Sequence, residues 1–210
     1  MKMSKMIDTD KRNLFIIVIL AAVFILDQLI IGFQLSNPWR FTTKTLLIPL
    51  LIYLYLNNTN STNKLFLAGL AFSFLGDLFL LFKGGFIGGL ISFLIAHILY
   101  ILTFKKSFKK HNPFAFLITA SYIIGLIGLL YPNLDSLKIP VILYSVTIGV
   151  MLYTAMSTLQ KWLIVGAVLF VISDSILALN IFYKHSTIGS LSVMLTYVFA
   201  QYFLVRGMIK

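Results

Sequence analysis

Eight long apolar stretches, separated by short polar connections, dominate the sequence. Each is close to the roughly 20 residues that an α-helix needs to cross a bilayer. A membrane β-barrel is excluded, because its strands are about 10 residues of alternating apolar and polar side chains, and no such alternation is present. The sequence therefore predicts an all-α polytopic membrane protein, a bundle of eight transmembrane helices. The predicted spans are about 14–33, 41–56, 65–82, 86–104, 114–131, 139–156, 162–183 and 188–205.

The composition leaves no room for a soluble domain. Of the 210 residues, 60% are hydrophobic and only 11% are charged, which lies far outside the range of soluble globular proteins. We predict a single integral membrane domain over residues 1–210. Its function must then depend on groups inside the membrane or at its edge.

Residue types exclude several kinds of chemistry. The chain has no cysteine, so thiolate nucleophiles, disulfide bonds and Cys-ligated metals are excluded. The three histidines, His97, His111 and His185, are never four residues apart, the spacing that places two imidazoles on one helix face. We therefore expect no metal site and no cofactor.

The charge distribution predicts the orientation. The net charge of +11 does not indicate nucleic-acid binding, because the basic residues lie at span ends rather than in a patch interleaved with aromatic residues. If the spans alternate, twelve basic residues lie on one side and four on the other, which places both termini in the cytoplasm of a cell-membrane protein. The four on the far side are Arg40, Lys83, Lys138 and Lys184.

The two halves of the chain resemble each other at a shift of 97 residues. The shift superimposes Lys64 on Lys161, Gly69 on Gly166, Asp77 on Asp174, Leu80 on Leu177 and Tyr100 on Tyr197. An even number of helices separates the copies, so the halves would be two parallel four-helix repeats.

Three aspartates, Asp27, Asp77 and Asp174, fall within predicted spans. A carboxylate at the centre of a bilayer costs about 2.5–3.5 kcal/mol, so such residues usually face a partner or a wet cavity. Asp77 and Asp174 each follow a lysine by 13 residues, which places both about 20 Å from the cytoplasmic edge. Two carboxyls at one depth can divide into an acid and a base. The alternative, hydrogen bonding between helices without chemistry, is the interpretation we prefer for Asp27.

Other polar side chains in the spans are candidate substrate-binding or supporting groups. Ser73, one turn before Asp77, and Ser173, beside Asp174, can donate hydrogen bonds to the carboxyls. Lys44 either extends to the membrane surface, binds a phosphate or reaches an aspartate. His97 with Tyr100, Tyr197 with Gln201, and Tyr144 in span six lie on helix faces that could line an interior cavity, or they pack the bundle.

Several motifs, in order over about residues 40–205, resemble the YhhN family of lysoplasmalogenases. They are residues 72–81 (FSFLGDLFLL), 89–100 (GLISFLIAHILY), 166–175 (GAVLFVISDS) and 197–201 (YVFAQ), together with Tyr144 and Met151 in span six. One departure is Thr45, which follows Lys44 where the family pattern has proline and which alters the helix at that turn.

The resemblance implies an eight-helix membrane hydrolase that cleaves the vinyl ether bond of a lysoplasmalogen. The products would be a fatty aldehyde and a glycerophospho-ethanolamine or -choline. By motif match the catalytic residues would be Asp77 and Asp174, with His97 bonding one carboxyl and Lys44 the phosphate. Tyr100, Tyr197 and Gln201 would orient the glycerol. The expected partners are a lysophospholipid substrate and membrane lipids, without nucleic acid; the oligomeric state is left open.

Two other functions fit the same features. Duplicated halves with ionisable residues near the membrane centre also describe small-solute or proton-coupled transporters. In a lipid-binding or scaffold protein without turnover, the aspartates would only hold helices together. Aldehyde release from a lysoplasmalogen separates the hydrolase from both.

Overall fold

A computed structural model describes residues 2–35 and 37–209, with side chains for residues 11–35 and 38–209. This part of the chain contains eight α-helices and no β-strand, so the all-α prediction is confirmed. Short 3-10 segments at Tyr131–Asn133 and Asp135–Leu137 join α5 to α6. The helices are α1 (Lys2–Gly32), α2 (Asn37–Asn58), α3 (Lys64–Phe79), α4 (Phe86–Lys105), α5 (Pro113–Leu130), α6 (Lys138–Ser157), α7 (Lys161–Phe182) and α8 (Thr187–Met208).

Polar residues in the connections begin several of these helices. Asn63 accepts hydrogen bonds from the first free backbone N–H groups of α3, Asn112 does the same for α5, and Ser186 for α8. Such caps satisfy donors that have no partner within the helix. Pro113 follows Asn112 at the first position of α5, where the missing N–H costs nothing.

Burial is the reverse of that in a soluble protein. Large apolar side chains such as Phe15, Ile124 and Ile139 are more than 60% exposed, whereas Asp27, Lys44 and His97 are buried. This pattern belongs to a bundle surrounded by lipid, with its polar groups turned inward. The chain is a multi-pass membrane protein.

Six of the eight helices are long and apolar enough to cross a membrane. The two others are α2 and α3. The α3 helix has 16 residues and ends at Phe79, earlier than the predicted span 65–82, because residues 80–85 turn towards α4. The α2 helix carries Arg40 and Lys44 and contains Pro49. The crossing of all eight helices therefore stays a prediction.

The most extensive contacts join α3 to α4 and α7 to α8. Glycines on α3 and α7 permit the close approach: a Cβ on Gly69 would lie 2.5 Å from the ring of Tyr100, and a Cβ on Gly166 would lie 2.8 Å from the side chain of Leu204. Small residues at helix crossings are the usual means of tight packing in membranes.

Contacts between helices of the two halves come in corresponding pairs. The α4 helix packs on α6, and the corresponding helix α8 packs on α2. This is the arrangement expected of two repeats related by a two-fold axis along the membrane normal, and it supports the predicted duplication. The bundle has two distinct ends. The basic end carries Lys64, Lys106 and Met208 around one surface depression, and the distal end carries the start of α2 and the turn between α7 and α8.

Candidate active site

A polar cavity of about 220 Å³ opens in the distal half of the bundle. Its wall is formed by α2, α3, α4, α7, α8 and the turn before α8. The lining residues include both Asp77 and Asp174, which the structure thus brings together from the two halves of the chain. The others are Arg40, Lys44, Leu80, Phe93, Ser173, Leu177, Asn180, Ile181, His185, Ser190, Val193, Met194 and Tyr197.

Asp77 is held by a cation and a phenol. The Nζ atom of Lys44 lies 3.2 Å from Oδ1 of Asp77, and both side chains are buried. The hydroxyl of Tyr197 donates to Oδ2 of Asp77 at 2.7 Å. Of the three roles that the sequence left open for Lys44, the structure shows the contact with an aspartate. Lys44 also lines the cavity, and its contact with a phosphate stays a prediction.

A chain of hydrogen bonds continues from Tyr197 into the bundle. Gln201 Nε2 donates to the Tyr197 hydroxyl at 3.4 Å, and the hydroxyl of Tyr100 donates to Gln201 Oε1 at 3.1 Å. The hydroxyl of Ser73 lies 3.3 Å from that of Tyr100. Tyr100 and Gln201 are fully buried and do not line the cavity. They stand behind Tyr197 in the chain of hydrogen bonds, and the expectation that they orient the glycerol stays a prediction.

The two serines do not hydrogen-bond to the aspartates next to them. Ser73 pairs with Tyr100, and Ser173 donates to the backbone carbonyl of Val193 on α8 at 3.0 Å. Ser173 and Asp174 are adjacent and project in different directions, whereas Ser73 lies one turn before Asp77 and still pairs with a residue of another helix. Ser173 nevertheless lines the cavity beside Asp174.

Asp174 has different surroundings from Asp77. The hydroxyl of Tyr144 donates to its Oδ2, and Nε2 of His97 lies 4.0 Å from the same oxygen. Both ring nitrogens of His97 are buried without a hydrogen-bond partner among the described residues. The imidazole packs edge-on against Phe170 and Tyr144, with centroid separations of 4.7 and 5.3 Å. Asp174 therefore has a phenol donor and a nearby imidazole, without a lysine.

Asp174 also lines a second, narrow cavity, which is apolar. This cavity lies between α4, α5, α6 and α7 and is bounded by side chains such as Leu126, Ile148 and Phe182. Tyr144 lines it too. Asp174 thus lies where a polar and an apolar compartment meet, whereas Asp77 borders only the polar one.

Asp27 lies outside the cavity wall. It is fully buried and accepts a hydrogen bond from the Thr43 hydroxyl at 2.6 Å. This contact joins α1 to α2, in agreement with the preferred interpretation of Asp27 as a link between helices.

Sequence reasoning missed four polar residues of the wall: Arg40, Asn180, His185 and Ser190. Arg40 lies four residues before Lys44 on the same face of α2, and this spacing is the signal that was available. Asn180 shapes the turn before α8, since its carbonyl oxygen accepts from the backbone N–H of Ser186 and its amide donates to Ser190. His185 stands alone in a connection and gives no sequence signal.

The fold and the site together define a class: an all-helical, multi-pass membrane protein with two interior carboxyls on one cavity. The chain belongs to the YhhN family, whose model matches residues 39–208. The match includes α2 from residue 39 onwards, α3–α8 and every lining residue of the cavity.

Among curated proteins, the chain is similar to lysoplasmalogenase TMEM86A of Bos taurus, with 34% identity over 158 residues. The match covers 67% of this chain, and the chain spans 63% of the length of that relative. No solved structure matches the chain.

Proposed function

We propose that the protein is a membrane hydrolase that cleaves the vinyl ether bond of a lysoplasmalogen-type lysolipid. The proposal rests on one observation: Asp77 and Asp174 line the same polar cavity, and Asp174 also borders an apolar one. A lysolipid has the same order of polar and apolar parts, with the vinyl ether at their junction. Membership of the YhhN family and the similarity to a lysoplasmalogenase support the same conclusion.

Asp174 is proposed as the acid. Its carboxyl group protonates the alkenyl carbon that is β to the ether oxygen, which leaves an oxygen-stabilised cation at the adjacent carbon. The position of Asp174 at the edge of the apolar cavity suits this role, because the alkene belongs to the hydrocarbon part of the lipid. Tyr144 and His97 are positioning residues that hold the carboxyl group in place.

Asp77 is proposed as the carboxylate of the pair. Its ion pair with Lys44 and its hydrogen bond from Tyr197 hold it in place at the cavity wall. There it stabilises the cation and accepts a proton from the water that adds to it. Such a division between two carboxyl groups is the one used in glycoside hydrolysis.

Addition of water gives a hemiacetal, which collapses without further input. The carbon–oxygen bond to glycerol breaks as Asp77 gives its proton to the glycerol oxygen and Asp174 takes the proton of the hemiacetal hydroxyl, which restores both carboxyl groups. A fatty aldehyde and a glycerophospho-alcohol are released. The aldehyde chain leaves through the apolar cavity, and the polar product leaves through the distal opening.

The proposed topology has all eight helices crossing the membrane with both termini in the cytoplasm. The cavity then opens towards the opposite side, because it is lined by the start of α2 and the turn before α8. The excess of basic residues at the other end supports this orientation.

Aldehyde release by the purified protein in D₂O tests the proposal. Protonation on carbon places one deuterium on C2 of the aldehyde, which is reduced to the alcohol as it forms so that exchange is prevented. Asp77→Asn and Asp174→Asn should each retain the fold and lose about two orders of magnitude in turnover. Asp27→Asn, which changes a buried aspartate outside the cavity, is the matched control and should remain active.

Full turnover in either variant, or an aldehyde without deuterium, would refute the mechanism. If liposomes that contain the protein accumulate a solute and release no aldehyde, the transporter interpretation replaces it.

A further inference from the structure

We infer that Arg40, with His185 at the cavity opening, binds the phosphate of the lysolipid headgroup and so sets the direction in which the lipid lies. This inference rests on the proposed function and extends it to the binding of the substrate. The ligand is a phosphate ester anion, which is defined by its chemistry rather than by the rest of the headgroup.

The first observation is that the Nε atom of the Arg40 guanidinium has no hydrogen-bond partner among the described residues. Arg40 is partly buried in the cavity wall, and its Nε atom is inaccessible to solvent. The carboxylate that acts on it electrostatically, Asp27, forms no ion pair with it and has one oxygen bound by Thr43. A guanidinium with free donors in a cavity is well suited to a phosphate, which it can bind through two parallel hydrogen bonds.

The second observation is that Lys44, the other cation of the cavity, is already paired with a carboxylate. Lys44 lies 3.2 Å from Asp77, so binding a phosphate would leave a buried carboxylate unpaired. Arg40 lies one helical turn closer to the distal end on the same face of α2. His185, in the exposed turn before α8, lines the same cavity, and an imidazole N–H is a second nitrogen donor for a phosphate.

The third observation is the order of the groups along the cavity. Arg40 and His185 line only the polar cavity, Asp174 lines both cavities, and the apolar cavity continues between α4 and α7. A lysoplasmalogen has phosphate, glycerol, vinyl ether and chain in that sequence. Phosphate at Arg40 therefore places the vinyl ether beside Asp174 and the start of the chain in the apolar cavity.

The test compares two substrates that differ only in the phosphocholine group: an alkenyl-glycerophosphocholine and the corresponding alkenylglycerol, both at a fixed detergent concentration. Arg40→Gln should raise KM for the phosphate-bearing lipid about ten- to a hundredfold, as expected for a hydrogen bond to a charged group. Its kcat, and both constants for the alkenylglycerol, should change by less than about threefold. Arg40→Lys should recover part of the loss, since it restores the charge without the paired donors.

The matched control is Arg206→Gln, which removes an arginine at the basic end, away from the cavity. It should leave both substrates unaffected. An equal loss for both substrates in Arg40→Gln would mean that Arg40 supports the fold or the carboxyls, and it would overturn the inference.

A binding experiment tests the headgroup site independently of the proposed hydrolysis. A saturated 1-O-alkyl lysophosphatidylcholine cannot undergo vinyl ether hydrolysis, and its equilibrium binding to the protein in nanodiscs is measured against 1-O-alkylglycerol. Arg40-dependent preference for the phosphate-bearing lipid would support the headgroup site even if no aldehyde is ever released. Aldehyde release without such a preference would overturn the headgroup site and leave the hydrolase intact.

Inorganic phosphate serves as the competitor in the same assay. If phosphate displaces the lipid only when it is in large excess over the lipid, the result supports a headgroup site. Displacement at concentrations equal to those of the lipid would show that the site takes free phosphate, and would overturn its assignment to a lipid.

Discussion

The Nζ atom of Lys44 lies 3.2 Å from Oδ1 of Asp77 in the interior of the bundle, with only 6% and 4% of the two side chains exposed. The equivalent position in the second half, 97 residues later, is Val141, so Asp174 has no such cation. The two halves share helices, glycines and aspartates, yet they surround their carboxyl groups differently. In the proposed mechanism, this difference lets Asp77 act as the base and Asp174 as the acid.

Removal of Lys44 should destabilise the protein. Lys44→Met leaves the Asp77 carboxylate buried without its counterion, and breaking a buried pair in this way costs about 3–5 kcal/mol. Thermal unfolding in detergent measures the loss. The double variant Lys44→Met with Asp77→Asn should recover most of it, and Lys110→Met, at an exposed position, should have no effect. A single variant as stable as the double one would contradict the ion pair.

Removal of the Tyr144 hydroxyl should lower turnover more than stability. Tyr144→Phe deletes the donor to Asp174, so the carboxyl is no longer held against the alkene, and kcat should fall by at least about tenfold. Tyr122→Phe is the control, because it deletes a similar hydroxyl that donates to Ser175 at 2.8 Å. The two variants should unfold at similar temperatures, and equal turnover in both would argue against a role for Tyr144.

The close approach of α7 and α8 depends on Gly166. A Cβ at this position would lie 2.9 Å from the backbone nitrogen of Leu204, which cannot move independently of its helix. Gly166→Ala should therefore destabilise the protein by about 1–3 kcal/mol through overpacking. Gly125→Ala places the same methyl group where nothing lies within 4 Å and should be neutral or stabilising. The stabilities of the two variants are compared by denaturation in a graded series of detergent mixtures.

The absence of native cysteine permits a direct test of topology. With eight crossings and cytoplasmic termini, single cysteines at Lys83 and Lys184 should react with a membrane-impermeant maleimide in intact cells. Cysteines at Ser61 and Lys110 should react only after the membrane is opened. All four positions are exposed, so accessibility does not bias the result. Labelling of Ser61→Cys and Lys83→Cys from the same side would show that α3 does not cross the membrane.

The helices and the depth of the aspartates could be predicted from the sequence. Apolar composition is additive along a segment, so a run of about 20 such residues indicates a span whatever its neighbours are. The exception is α3, whose apolar run continues through Leu80 and Leu81, although the helix ends at Phe79. Termination there depends on the turn into α4, which composition alone does not show.

The partners of the site residues could not be predicted in this way. Tyr197 and Asp77 are 120 residues apart, and Tyr100 and Gln201 are 101 apart. Which side chains meet depends on the rotation of each helix about its axis and on the crossing of helices from the two halves. These follow from packing contacts summed over several helices, such as those at Gly69 and Gly166.

By itself, the sequence determined that this protein lies in a membrane, that it is helical, and that three aspartates lie within its apolar helices, because these properties follow from local composition and spacing. The tertiary structure decided that Lys44 pairs with Asp77, that Tyr144 binds Asp174, and that Arg40 Nε has no hydrogen-bond partner in the part of the chain that the structure describes. A buried polar group takes the partner that packing brings within hydrogen-bonding distance, and neighbours in sequence, such as Ser73 and Asp77, need not provide it.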